Sequence, residues 1–157
     1  MRLLLVAAFA LSACAQTTAT YPPNIFAPVG VSRSTLTDTC SGDVFELNGK
    51  TVEVGDAPSA QVVAQLDPVL LQRIEDLLRK GPNDLSPIDG FIRQYFAVTV
   101  DGKNLILVNV AWPYDSSFND RAPNTLIDVC DGGMSFWHGV FDPSNSRLLK
   151  LVHNGVA

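Results

Sequence analysis

FIRQYFAVTVDGKNLILVNVAW, residues 91–112, holds two runs rich in β-branched and aromatic residues about a central Asp101-Gly102. Asp-Gly between such runs signals a two-residue type I′ hairpin, in which both central residues take positive φ. That turn sets a register in which Val98 faces Leu105, Phe96 faces Leu107 and Gln94 faces Asn109. Because side chains alternate along a strand, Ile92, Phe96, Val98, Val100, Leu105 and Leu107 share one face, the expected bed for a helix. Gln94 and Asn109 fall inside that apolar face, where burial requires them to bond each other or their neighbours. The opposite face carries Tyr95, Ile106, Val108, Val110 and Trp112 with Arg93 and Thr99. It is too apolar to stand bare, so an N-terminal ribbon, a second copy or a ligand is expected to cover part of it.

Upstream, Asp67 suits an N-cap, Pro68 the first helical position, and Gly81-Pro82 a stop. Between them Leu70, Ile74, Leu77 and Leu78 fall at i, i+4, i+7 and i+8 and form one stripe, so a core-facing helix is predicted there. Glu75 and Arg79 pair at i, i+4, and Arg79 and Lys80 complement the dipole at the C-terminal end. Residues 60–66 fit a strand or a helix. Asn48-Gly49 between residues 43–47 and 50–54 predicts a small two-stranded ribbon. Residues 81–90 are expected as a loop.

Downstream, residues 113–124 (PYDSSFNDRAPN) make a polar, aromatic-bearing loop of a length at which loops are often functional. Asp131-Gly132-Gly133 is a turn or bulge, residues 134–141 a strand, Asp142-Pro143-Ser144-Asn145 a turn, and residues 147–156 a last strand. The expected fold class is α+β: one main helix packed on a roughly four-stranded antiparallel sheet, with an N-terminal β-ribbon and one disulfide. Helix followed by successive antiparallel strands resembles cystatin-type folds in order. The organisation expected is a signal peptide over 1–13, a flexible tether over 14–39, rich in Thr, Ser and Pro, and a single domain over 40–157.

The signal reading rests on Met1-Arg2, an apolar run to Leu11, and small residues after it. The run is about half of what a spanning helix needs. Ala13 and Ala15 satisfy the A-x-A rule for ordinary cleavage, while Leu11-Ser12-Ala13-Cys14 resembles the lipobox of bacterial lipoproteins. That resemblance implies a diacylglyceryl thioether on Cys14, cleavage before it and acylation of the new amino group. Several acyl chains make such an anchor lasting, at about 0.8 kcal/mol per buried methylene. Lipoproteins retained in the inner membrane carry Asp next to the anchor. Ala15 stands there, which implies the outer membrane, facing the periplasm.

Three cysteines make an odd set until Cys14 is assigned to lipid. Cys40 and Cys130 then remain as a pair, and an oxidising envelope makes a disulfide their default state. A loop of that length stabilises the fold by roughly 4 to 5 kcal/mol in the chain-entropy model. With 46% hydrophobic and 17% charged residues the composition is globular. A net charge of −5 and no clustered Lys or Arg argue against nucleic acid as a partner.

The motifs YFxVxxDGKxLIxVNxxW, DVCDGGxxFWxGxxDP and LxxLxxNGxA are together similar to a group of small exported bacterial proteins of unknown function, over about residues 90–157. The resemblance transfers no activity. No G-x-S-x-G, H-E-x-x-H, C-x-x-C or phosphate loop is present, so no catalytic residue, metal or cofactor is assigned. If the turn at 142–146 joins neighbouring strands, His138 lies opposite Leu149 or Lys150 and His153 opposite Met134 or Ser135, too far apart to share a zinc ion. Each is expected as a half-exposed strand residue. Asp115, Asp120, Asp128 and Asp131 are expected to form a solvated acidic rim, since their spacing fits no calcium loop. Trp112, Tyr114, Phe118 and Trp137, beside the long loop, are the candidate binding residues. The expected function is a membrane-anchored envelope lipoprotein, a non-enzymatic binding module for a protein or cell-wall component. The alternatives are a periplasmic hydrolase using Asp131, His138 or His153, or an inhibitor of an envelope enzyme.

Overall fold

The structure, a computed structural model, describes residues 24–28, 31–38, 40–80 and 88–155. The signal segment, Cys14 with its lipobox, most of the tether and residues 81–87 of the expected loop lie outside the described residues.

The hairpin forms as its sequence predicts. β3 (Ile92–Val100) and β4 (Lys103–Ala111) pair with Val98 opposite Leu105, Phe96 opposite Leu107 and Gln94 opposite Asn109. Asp101 and Gly102 have φ of 49° and 80°, the left-handed pair that a type I′ turn needs. β5 (Phe136–Asp142) pairs antiparallel with β4, and β6 (Arg147–His153) with β5. The outer side of β3 is shared by two short strands: β1 (Ile25–Phe26) runs parallel to its start, and β2 (Val52–Val54) antiparallel to its end. The sheet is therefore mixed, in the order β1-β3-β4-β5-β6 with β2 beside β3. The chain is part of the sheet from Ile25 onward. Leu36, in α1 (Arg33–Thr37), is also fully buried, so the tether expected to reach 39 ends earlier.

The N-terminal ribbon does not form. Residues 40–45 are a short helix, α2 (Cys40–Phe45), whose first N–H groups, on Cys40 and Ser41, donate to the Asp128 carboxylate. Buried Ser41 and Phe45 lie one helical turn apart, a spacing that suits a helix. Asn48-Gly49 still makes a turn, with the Lys50 N–H bonded to the Leu47 carbonyl, but it joins a helix to β2.

The main helix, α3 (Ala60–Leu78), starts a full two turns before its expected cap. Ser59 is the N-cap and accepts from the Val62 N–H at 3.3 Å. Pro68 lies within the helix. Its missing N–H frees the carbonyl of Ala64, and both residues are solvent-exposed, so water can satisfy that oxygen at small cost. Asp67, instead of capping, is buried. The expected stripe of Leu70, Ile74 and Leu78 is buried and extends back through Val63 and Leu66.

That stripe packs on the face opposite to the expected one, against Tyr95, Ile106, Val108, Val110, Trp137 and Phe141. The face of Phe96, Val98 and Leu107 is covered instead by Val31, Leu36, Phe45 and Leu47 from the N-terminal segment. Further along the same face, Ile92, Ala111 and Phe136 pack under Ala122 and Ile127. Polarity decides the assignment. Arg93 on the first face needs a carboxylate, which α3 supplies from Asp67. Gln94, Asn109 and His138 on the second need partners that an apolar helix stripe cannot offer.

Candidate functional site

Gln94, Asn109 and His138 stand directly opposite one another across β3, β4 and β5, a buried polar row through an apolar layer. The Asn109 amide donates to Gln94 Oε1 at 3.1 Å and to the Ile127 carbonyl at 2.6 Å. Gln94 Oε1 also accepts from the Ile127 N–H, and its Nε2 donates to the carbonyls of Ala122 and Thr125. The expected amide pair is thus a clamp on the covering segment. His138 is buried at 2% exposure, against the half-exposed position expected for it, with the Phe45 ring edge-on at 5.3 Å. Asn154 gives its amide hydrogens to the carbonyls of Val129 and Asp131, so its Oδ1, 2.7 Å from His138 Nε2, must accept and Nε2 carries the proton. Burial lowers the His138 pKa, against smaller opposing effects of Asn154 and Asp128. The ring is held neutral. Asn109 Oδ1 and His138 Nδ1 have no hydrogen-bond partner among the described residues.

This arrangement does not assemble acid/base chemistry. His153 pairs with Trp137 and His138 with Val152, so the histidines are adjacent in register, not three or four pairs apart, and lie on opposite faces of the sheet. The register differs from expectation by two or three residues, because the turn pairs Asp142 with Arg147 and a bulge between Val140 and Phe141 then adds one more. Asp131 is exposed, and its backbone carbonyl accepts from Asn154.

The acidic residues are likewise structural where they are engaged. Asp115 caps α4 (Ser116–Arg121), a short helix inside the long loop, by accepting from the Ser117 N–H. Asp120 is exposed. Asp128 takes the start of α2 and the Ser41 hydroxyl. Cys40 and Cys130 form a disulfide with Cα atoms 5.1 Å apart. Their sulfurs and an Asp128 oxygen lie within 4.8 Å of one another, but the sulfurs are bonded together and Asp128 is engaged by N–H groups. The cluster fastens α2 to the 127–131 segment. Gly132 beside it has φ of 109°, and a Cβ there would stand 2.5 Å from the Phe136 ring, so the turn into β5 requires glycine.

The four candidate binding residues divide between the two faces. Tyr114, 61% exposed, packs edge-on to Phe118 at 6.3 Å and tilted on Phe136 at 5.9 Å. The Arg121 guanidinium stands 5.0 Å over the Phe118 ring. Trp112 packs edge-on to Phe91 at 5.0 Å beside the other core. Trp137 is buried in that core and donates its indole N–H to the Met134 carbonyl at 2.6 Å. Tyr114 and Phe118 with Arg121 therefore make one exposed platform, from which Trp112 and Trp137 are absent.

A second surface has no counterpart in the sequence reading. α3 and β6 touch along a seam that opens into two clefts, of about 890 Å³ between residues 68–76 and 145–148, and about 540 Å³ between Leu77 and Leu151. Its signals in the sequence are Val69 on the outer side of the helix and the adjacent leucines 148 and 149, which alternate across a strand and so cannot both be buried under one layer.

No family model matches this chain, and no match was found among curated proteins or solved structures. Among the described residues no helix is long and apolar enough to cross a membrane.

Proposed function

We propose that this chain is a lipid-anchored binding module of the bacterial envelope, held by acyl chains on Cys14 and meeting a protein or cell-wall partner through the Tyr114 platform. The observation that carries the binding reading is the exposure of Tyr114 on a base of Phe118 and Phe136, with a cation above Phe118. Aromatic residues and arginine dominate recognition surfaces because they desolvate large areas with few lost rotamers. The anchor is supported by the lipobox residues, and the export reading by the Cys40–Cys130 disulfide, a bond typical of oxidising compartments.

Two measurements test the two halves separately. Cells fed radiolabelled palmitate should label the wild-type protein and not Cys14→Ala; label retained in the variant removes the anchor. A photo-crosslinking amino acid at position 114 should give adducts in intact envelopes that fall at least fivefold in Arg121→Ala, with the same probe at exposed Asp56 as control. Equal crosslinking at both positions removes the platform.

A further inference from the structure

We propose that the β6 edge and the seam it makes with α3 form a second docking surface, whose occupant is an extended acidic polypeptide segment added to the sheet as a strand.

β6 pairs only with β5 among the described residues, so one side of its backbone presents unpaired N–H and C=O groups. Such an edge is satisfied by another strand, and pockets beside it select alternate side chains. The two clefts supply those pockets. The larger is floored by Pro68, Val69 and Leu148, the smaller by Leu77, Trp137 and Leu151, and they follow one another as α3 and β6 run in the same direction. Val69, on the helix side of the seam, is 42% exposed.

Charge identifies the occupant. The chain has 16 acidic residues against 11 Lys and Arg, yet the seam reverses that balance: Arg73, Arg147 and Lys80 line it against Asp76 alone. Arg73 and Arg147 carry no ion pair among the described residues. β6 itself, RLLKLVH, has no acidic residue. A second copy adding antiparallel about Lys150 would set Lys150 against Lys150, and like charges directly opposite destabilise a pair. Lys150 is also engaged by Glu46 and the Val44 carbonyl. A strand that carries both carboxylates and apolar side chains on its α3-facing side meets both requirements, seating the apolar groups in the clefts and the carboxylates beside Arg73 and Arg147.

This inference is independent of the Tyr114 platform and of the lipid. The test uses two fluorescently labelled nonapeptides with Thr at every second position, the positions between alternating Val with Glu in one and Val with Lys in the other, titrated by anisotropy against the wild-type protein and against Arg73→Glu/Arg147→Glu. The wild type should bind the Glu peptide at least tenfold more tightly than the Lys peptide, and the variant should reverse the preference, an outcome that loss of folding cannot produce. Amide exchange should slow at alternate residues of β6 when the Glu peptide is bound. Absence of binding at millimolar peptide, an unreversed preference, or unchanged β6 exchange overturns the proposal, as does a concentration-dependent dimer of the wild type that itself protects β6.

Discussion

The two faces of the sheet are held by different physics. Under α3 the contact is an apolar layer fixed at one point by an ionic group: Asp67 Oδ1 accepts the Tyr95 hydroxyl at 2.7 Å and stands 2.8 Å from Arg93 Nε, an ion pair outside hydrogen-bond geometry. On the other face, α1 and α2 are too short to nucleate as helices by themselves, and the 122–131 segment is irregular. They are held by side-chain amides bonding main-chain groups, by Asp128 and by a disulfide. A long element can rely on area. A set of short ones needs specific bonds at each segment.

The largest effect that could break this contrast is at its ionic point. Arg93 is 4% exposed, so Asp67→Ala leaves a buried cation unpaired, and urea unfolding should show a loss of roughly 3–5 kcal/mol. A loss below about 1 kcal/mol would mean that the apolar layer alone fixes α3. Burial, then the nearby Asp67 carboxylate, raises the Tyr95 pKa, so the phenol remains a donor at all ordinary pH.

Next in size is the staple. Replacing both Cys40 and Cys130 by Ser should lower stability by roughly 2–4 kcal/mol, below the chain-entropy figure because a reduced unfolded chain keeps some structure. Hydrogen exchange should speed in α2 and the 127–131 segment before α3, whereas uniform acceleration would show the two faces to be one cooperative unit.

The smallest effect is one of pH. His138 has its folded pKa lowered by burial, so the native ring stays neutral where the unfolded ring takes a proton. As pH falls below about 6.5, the unfolded value, stability should drop by at most about 1.4 kcal/mol per pH unit until the folded pKa is reached. His138→Gln should flatten that slope. An unchanged slope would assign it to another group.

How much of this was legible in sequence follows from how local each determinant is. The 91–112 hairpin and its register were legible, because Asp101-Gly102 allows one turn and both strands are long. So was the mutual bonding of Gln94 and Asn109, a necessity for amides in an apolar row. Asp67-Pro68 was misread because it carries every local mark of a helix start, while Tyr95, the partner that makes Asp67 a core residue, lies 28 residues on. Asn48-Gly49 told of a turn but not of what flanks it, since α2 depends on Asp128, some 88 residues from Cys40. Alternation defined two apolar faces without saying which the helix takes. That choice rested on the charge of Arg93. At the candidate surfaces, the Tyr114 and Phe118 contact was open to sequence reading, but the seam was not, because it joins a helix to the last strand.

The order of the strands has a spatial corollary. β1, through which the polypeptide arrives, and β6 occupy opposite margins of the sheet, four strand spacings or roughly 19 Å apart. A protein leashed through Cys14 would be drawn toward the bilayer by the first margin, leaving the second turned outward to whatever passes through the surrounding space.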